Sequence, residues 1–112
     1  MKNPKQLETL IEGAAYSLPK YKVVNEGIAD AGEVQLYFCK GNKEDENIMR
    51  QEGIFTESLL VACGKYLQDN NKGELENEFT AKAIEDIKSA LGQLQARADD
   101  RKARAVQTTY NK

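Results

Sequence analysis

The stretch AIEDIKSALGQLQARADDRKAR, residues 83–104, decides the C-terminal half of the fold. Its apolar residues recur every three or four positions, which places them on one stripe of a helix at about 100° per residue. The stripe consists of Ile84, Ile87, Leu91, Leu94 and Ala98. The arginines that follow it at helical spacing are Arg97, Arg101 and Arg104. We therefore predict one long amphipathic helix whose apolar stripe ends where a row of guanidinium groups begins.

This arginine row has two interpretations. A guanidinium group presents a planar fork of donors that matches phosphate oxygens and stacks on flat rings, so the row is typical of an anion site. Alternatively, Asp100 lies three residues from Arg97 and four from Arg104, which suits local ion pairs on a solvated helix face. The helix dipole also favours cations near a C-terminus, by about 0.3–1 kcal/mol each. The spacing alone leaves both interpretations open.

The composition limits the classes of function. A chain of 112 residues predicts a single domain, 1–112, with one small core that oligomerisation would supplement. The net charge of −2 supplies no positive field, which argues against binding of duplex nucleic acid. The chain contains no histidine, the commonest general base and transition-metal ligand. We therefore predict no enzyme, no metal site and no cofactor.

Two further features bear on the compartment. No apolar run is long enough to cross a bilayer, which predicts a soluble, cytoplasmic protein that does not bind membranes. Cys39 and Cys63 lie far apart in apolar surroundings, without the spacing of a metal or redox motif. We predict that both are buried as small hydrophobic residues.

The chain as a whole predicts an α+β fold. Asn3 and Pro4 resemble a helix start, and the apolar residues up to Leu18 recur at helical spacing, which predicts an N-terminal helix over 1–18. Residues 21–40 are rich in β-branched and aromatic residues around Asp30-Ala31-Gly32, which predicts a β-hairpin with its turn there. Residues 41–53 are predicted to be a loop. Residues 54–112 are predicted to form an antiparallel helical hairpin, with a long last helix, and a tail.

A few side chains outside the arginine row are candidates for a binding site. Tyr37 and Phe38 are neighbours in a predicted strand and point to opposite faces, so one can enter the core while the other stacks on a ligand or a partner. Lys40 ends the same strand, and Thr109 adds a hydroxyl group to the tail beyond the arginines. For the aromatic pair, packing in a core or an interface is the alternative. For the tail, the alternative is a frayed terminus.

The C-terminal segment AIEDIKSALGQLQARADDRKARAVQTTY resembles the helical hairpin domain of phage proteins that sequester cyclic nucleotide signals, the anti-Thoeris and anti-CBASS sponges. In that family the second helix ends in an arginine, an Asp-Arg pair and an Arg-Gly-Val-Glu-Gly-Thr-like tail. The corresponding residues here are Arg97, Asp100-Arg101 and the segment from Arg104 to Thr109. Ala105 and Thr108 replace the two glycines of the family tail.

The resemblance extends upstream and covers about residues 34–110. A Phe-x-x-Gly pattern after a strand matches Phe38 to Gly41, and a helix start resembling Gly-Val-x-x-Glu-x-Leu-Leu matches Gly53 to Leu60. The resemblance implies a noncatalytic phage protein, acting in the cytoplasm of the infected host cell, that traps cyclic nucleotides or cyclic ADP-ribose isomers and so counteracts anti-phage defence. It also implies a homo-oligomer, a dimer or a larger assembly such as a hexamer, with the signal held between subunits.

On this interpretation the ligand-binding residues divide by role. Arg101 and Arg104 would contact phosphate, with Arg97 in support, Phe38 or Tyr37 would stack on the base, and Lys40 and Thr109 would make polar contacts. The alternative function is a small phage interaction or regulatory module whose helical hairpin binds a protein partner, with the arginines paired to acidic side chains. An exposed apolar patch would favour that alternative.

Overall fold

A computed structural model of the protein describes residues 3–41 and 50–110, with the side chains of α2 described as far as residue 104. In chain order its elements are the strands β1 (Glu8–Ile11), β2 (Ala15–Val24) and β3 (Gly27–Tyr37), then the helices α1 (Thr56–Asn70) and α2 (Glu78–Tyr110). A short 3₁₀ turn, Gly73–Leu75, lies between the helices. The chain divides into two compact units, Met1–Phe55 and Thr56–Lys112, which we describe separately.

The first unit is an antiparallel sheet with the strand order β1-β2-β3. The predicted N-terminal helix over 1–18 is therefore wrong. The Asn3 side chain does not start a helix; its Oδ1 accepts a hydrogen bond from the Lys5 amide at 2.9 Å in a local turn. Gly13 has φ +73°, a left-handed conformation that a helix interior excludes, and the Ala14 amide bonds to the Ile11 carbonyl at 3.0 Å to close the turn between β1 and β2.

The small residues that follow this turn are better suited to a sheet than to a helix. Ala15 and Ser17 are buried while Tyr16 and Leu18 are half-buried, so the residues alternate with the period of two that a strand requires. Within the described residues, burial is limited to Ala14, Ala15 and Ser17. The core of this unit is therefore small, and pairing of β2 with β3 overrides the helical spacing of the apolar residues.

The predicted β-hairpin exists, but its turn was placed wrongly. β2 and β3 are joined at Asn25 and Glu26, with Val24 paired to Gly27. The segment Asp30-Ala31-Gly32 lies inside β3, where the register shifts between Pro19 and Tyr21 of the facing strand. Gly32 has φ +93°, which fits a β-bulge. Turn-forming residues therefore produced a bulge, because a bulge uses the same left-handed glycine conformation as a turn.

The chain after residue 50 bonds to the end of β3. Residues 42–49 of the predicted loop over 41–53 lie outside the described residues, so the structure bears only on the two ends of that loop. The Ile54 amide donates to the Tyr37 carbonyl at 3.0 Å, and the Cys39 amide donates to the Ile54 carbonyl at 2.8 Å. The half-buried Gln51 side chain donates from Nε2 to the carbonyls of Ala14 at 2.9 Å and Phe38 at 3.0 Å. These bonds fasten the segment to the end of β3.

The second unit contains the two helices that the sequence predicted. Asn77 begins α2: its Oδ1 accepts from the Phe79 amide at 2.7 Å, and its own amide donates to Asn71 Oδ1 at 2.7 Å. Gly64 of α1 lies opposite Ile87 of α2 and leaves room between the helices, because a Cβ atom there would only reach an ordinary contact of 3.4 Å with Ile87 Cγ2. No side chain of α1, nor of α2 as far as residue 104, is buried.

The predicted burial of both cysteines is also wrong. Cys39 and Cys63 are exposed, with free thiols. Cys63 lies on α1 with Ala62, Tyr66 and Leu67 around a shallow apolar depression of about 410 Å³. Apolar neighbours in sequence do not bury a residue when the element that carries it has too few packing partners.

Candidate functional site

The arginine row lies on one continuous stretch of α2. Arg97, Arg101 and Arg104 are separated by four and three residues in a segment that is helical throughout, so they share a face within about 60° of arc and about 10 Å of length. All three side chains are exposed. Within the residues whose side chains are described, neither Arg97 nor Arg101 forms an ion pair. Three fixed positive charges therefore face outward where the apolar stripe ends.

Arg104, the last arginine of the row, forms a local ion pair with Asp100. Arg104 Nη2 lies 2.9 Å from Asp100 Oδ2, and both side chains remain more than half exposed, at 76% and 55%. An exposed pair at this helical spacing contributes about 0.3–0.5 kcal/mol, so a phosphate that offers two oxygens to the guanidinium competes readily with Asp100. All three arginines are exposed, as the solvated-face interpretation expects, and Arg104 also has the local ion pair that it expects.

Phe38 and Lys40 belong to the first unit, whereas the arginines belong to the second. The half-buried Phe38 ring packs edge-on against Tyr16, with ring centroids 6.2 Å apart and an interplanar angle of 72°. Lys40 is exposed, and its Nζ donates a long 3.4 Å hydrogen bond to the Gly13 carbonyl. Packing against Tyr16 therefore occupies part of the Phe38 ring, while Lys40 has one long hydrogen bond.

Tyr37 is the more accessible aromatic residue of the strand. It is 38% exposed, and its hydroxyl group donates to Gln35 Oε1 at 3.3 Å. Phe38 is the more buried of the two neighbours, but neither ring enters the core that the structure describes. Tyr37 is accordingly the better candidate for stacking. Thr109 lies in α2, but its side chain is outside the described residues.

Three cavities in the described part of the chain are lined without any residue of the arginine row. One lies between α1 and α2 beside Gly64, with a volume of about 210 Å³. A second, of about 340 Å³, is lined by residues that include Leu7, Ser17 and Glu33. The third is the depression around Cys63. None of the three has an arginine in its lining.

Sequence reasoning missed three residues that the structure singles out. Gln51 bridges two carbonyl groups of the sheet, and nothing in its sequence context indicated that. Gly64, in the middle of a helix, did carry a signal, because an isolated helical glycine costs about 1 kcal/mol and suggests a packing reason. Leu75 also carried a sequence signal, because it is a lone apolar residue between two glutamates. In the structure its side chain is 72% exposed.

The comparisons add no assignment to these observations. No protein-family model matches the chain, and no curated protein matches its sequence. No helix among the described residues has the length and hydropathy of a membrane span. Among the same residues, no group of three or more cysteine, aspartate and glutamate side chains is arranged to hold a metal ion. The function must therefore be argued from the residues themselves.

Proposed function

We propose that this protein is a noncatalytic binding protein that captures a small anionic signalling nucleotide, of the cyclic nucleotide or cyclic ADP-ribose type. The observation that carries the proposal is the row of exposed guanidinium groups on one face of α2, of which Arg97 and Arg101 have no ion-pair partner among the described side chains. A small phosphorylated ring offers few atoms, so tight capture needs charge-assisted bidentate contacts of the kind that arginine supplies.

The resemblance of the C-terminal segment to the phage sponges supports the same proposal. The matched arginines are the ones that the helix brings to one face. Exposed arginines on a single chain do not enclose a ligand, and binding sites for small molecules are concave and desolvated. The proposal therefore includes a homo-oligomer in which a neighbouring subunit supplies the missing wall. Capture in the cytoplasm of an infected host cell would lower the free concentration of a defence signal without any chemical step.

Thermal unfolding in the presence of candidate signals tests this function. The purified full chain is mixed separately with cyclic ADP-ribose isomers, cyclic dinucleotides and cyclic trinucleotides. A ligand present at a hundred times its dissociation constant stabilises the folded state by about 2.7 kcal/mol, which is a readily measured rise in Tm. Heating the complex and analysing the supernatant should return the nucleotide unchanged.

The matched variants are the double substitution Arg101→Ala with Arg104→Ala, and the single substitution Lys102→Ala. Lys102 is exposed in the same turn of the helix but points about 100° away from Arg101, so its removal changes the charge without touching the row. We expect the double variant to lose the Tm shift and the Lys102 variant to keep it. No shift with any nucleotide, or an equal shift in the double variant, would contradict the proposal.

A second function is favoured by a separate observation. The depression around Cys63 on α1 is a contiguous apolar surface lined by Ala62, Cys63, Tyr66 and Leu67, and Tyr66 is 69% exposed. Such surfaces are typical of sites for protein partners. If the chain binds a protein through these residues, Tyr66→Ser should abolish that complex while the arginine double variant leaves it intact. A complex that survives Tyr66→Ser but is lost in the arginine double variant would reject this alternative.

A further inference from the structure

The groove between α1 and α2 is a cavity with apolar walls and two ammonium groups. It has a volume of about 210 Å³, and its lining includes Leu60, Gly64, Ile87 and Leu91 together with Lys65 and Lys88. Glycine at position 64 leaves the gap open, because it carries no side chain where the helices meet. Both lysines are exposed, and Lys65 Nζ contacts Asp69 Oδ1 at 2.7 Å in a pair that is itself mostly exposed.

A matching protrusion lies in the connection between the helices. Leu75 is 72% exposed and stands between Glu74 and Glu76, both of which are exposed. The 3₁₀ turn holds it in place: Gly73 has φ +62°, and the Glu76 amide donates to the Gly73 carbonyl at 3.2 Å. The connection therefore presents one apolar side chain flanked by two carboxylates.

The protrusion and the groove of one chain cannot meet. Ile87 lies nine residues beyond the start of α2 at Glu78, so the groove is about 14 Å along the helix axis from the connection at 1.5 Å per residue. The connection and the groove are nonetheless chemically complementary. The connection carries one apolar side chain between two carboxylates, and the groove has apolar walls and two ammonium groups. A second copy of the chain supplies the complement to each.

We propose that the groove beside Gly64 receives Leu75 of a second copy of this chain, with Glu74 and Glu76 of one copy beside Lys65 and Lys88 of the other. Two hairpins that run antiparallel, side by side, make this contact twice about a two-fold axis, which gives a closed dimer. In the dimer, Lys65 and Lys88 lie beside an apolar contact and are less exposed to solvent. Their ion pairs with Glu74 and Glu76 of the other copy are therefore screened less by salt.

This dimer leaves the arginine row outside the contact, so the wall that the proposed nucleotide site needs would come from a different contact between subunits. Arg97 lies ten residues beyond Ile87, on the side of the groove away from the connection. The proposal goes beyond nucleotide capture and does not depend on it. If the unchanged protein dimerises but shows no nucleotide-induced Tm shift, only the proposed function is rejected. If it shows the Tm shift but the charge-exchange variants do not behave as expected, only the proposed dimer contact is rejected.

Sedimentation velocity of the full chain over a concentration series tests the proposal. We expect a concentration-dependent dimer that weakens at least about tenfold in Leu75→Asp. The control is Val23→Asp, which places the same charge at an apolar position in β2 that is 87% exposed, and which should dimerise like the unchanged protein. A protein that stays monomeric at every concentration would overturn the proposal.

Charge exchange makes the test specific to this geometry. A variant with Lys65→Glu and Lys88→Glu places four carboxylates at each contact, and a variant with Glu74→Lys and Glu76→Lys places four ammonium groups there. Each variant alone should be monomeric. When they are mixed, both contacts of the mixed dimer again pair opposite charges, so dimer should return. Circular dichroism of each variant checks that the helices are present.

The matched control for the lysine variant is Lys22→Glu with Lys102→Glu. It makes the same change in net charge at exposed lysines outside the groove lining, and it should remain dimeric. Dimerisation of either charge variant alone, or failure of the two folded variants to associate on mixing, would show that another surface joins the copies.

Discussion

Replacing Gly53 with alanine should detach the segment after residue 50 from the sheet. A Cβ atom on this residue would lie 2.2 Å from the Tyr37 carbonyl oxygen, 2.6 Å from the Tyr37 carbonyl carbon and 2.7 Å from the Phe38 carbonyl carbon. All three are backbone atoms, so no side-chain rotation relieves the overlap. Gly53 has no positive φ, so the effect is steric.

The size of the effect follows from the bonds that must shift. Relieving the overlap moves one backbone against the other by about 1 Å, which breaks or weakens the Ile54–Tyr37 and Cys39–Ile54 hydrogen bonds. Each of the two bonds contributes about 0.5–1.5 kcal/mol net, so we expect a destabilisation of about 1–3 kcal/mol. Urea unfolding followed by circular dichroism measures the total. Hydrogen exchange by mass spectrometry should show faster exchange at Cys39 and Ile54.

The control is Gly92→Ala on α2, where a Cβ atom would meet nothing within 4 Å. Alanine is preferred over glycine in a helix interior by about 0.8–1.0 kcal/mol, so this variant should be stabilised. The two glycine-to-alanine changes therefore have opposite expected signs. Equal stability of the Gly53→Ala variant and the unchanged protein, with unaltered exchange at Ile54, would refute the reasoning.

Three further predictions concern single side chains. Gln51→Glu should destabilise the sheet by about 1–3 kcal/mol, since a carboxylate cannot donate to the two carbonyls that Nε2 now serves; a urea midpoint equal to that of the unchanged protein would contradict this. Asn77→Ala should cost about 1 kcal/mol and speed hydrogen exchange in the first turn of α2, because the cap to the Phe79 amide is lost; unchanged exchange there would argue against the cap. Asp100→Asn should change stability by no more than about 0.5 kcal/mol, because its pair with Arg104 is exposed, and a larger loss in thermal unfolding would show that Asp100 has a further role.

The candidate site was predictable to the extent that it lies on one helix. Arg97, Arg101 and Arg104 share a face because helical spacing alone dictates it, and the exposed side chains agree with that expectation. The groove beside Gly64 was not predictable in the same way. It depends on which residues of α1 oppose Ile87, and that register is set by side-chain packing between the two helices, which the periodicity of either helix does not specify.

The N-terminal half shows where sequence reasoning failed. The apolar residues between Leu7 and Leu18 fit a helical period, yet the same positions form strands because β3 supplies hydrogen-bond partners that a local pattern cannot reveal. The exposure of Cys39 and Cys63 has a similar origin, since burial depends on how many elements cover a residue.

The sequence by itself determined the two C-terminal helices and the arginine face, because periodicity and capping act between residues a few positions apart. Only the tertiary structure decided the three-stranded sheet, the bulge at Gly32 and the groove between α1 and α2. Each of these depends on contacts between different elements, whose energies the pattern within one element does not encode.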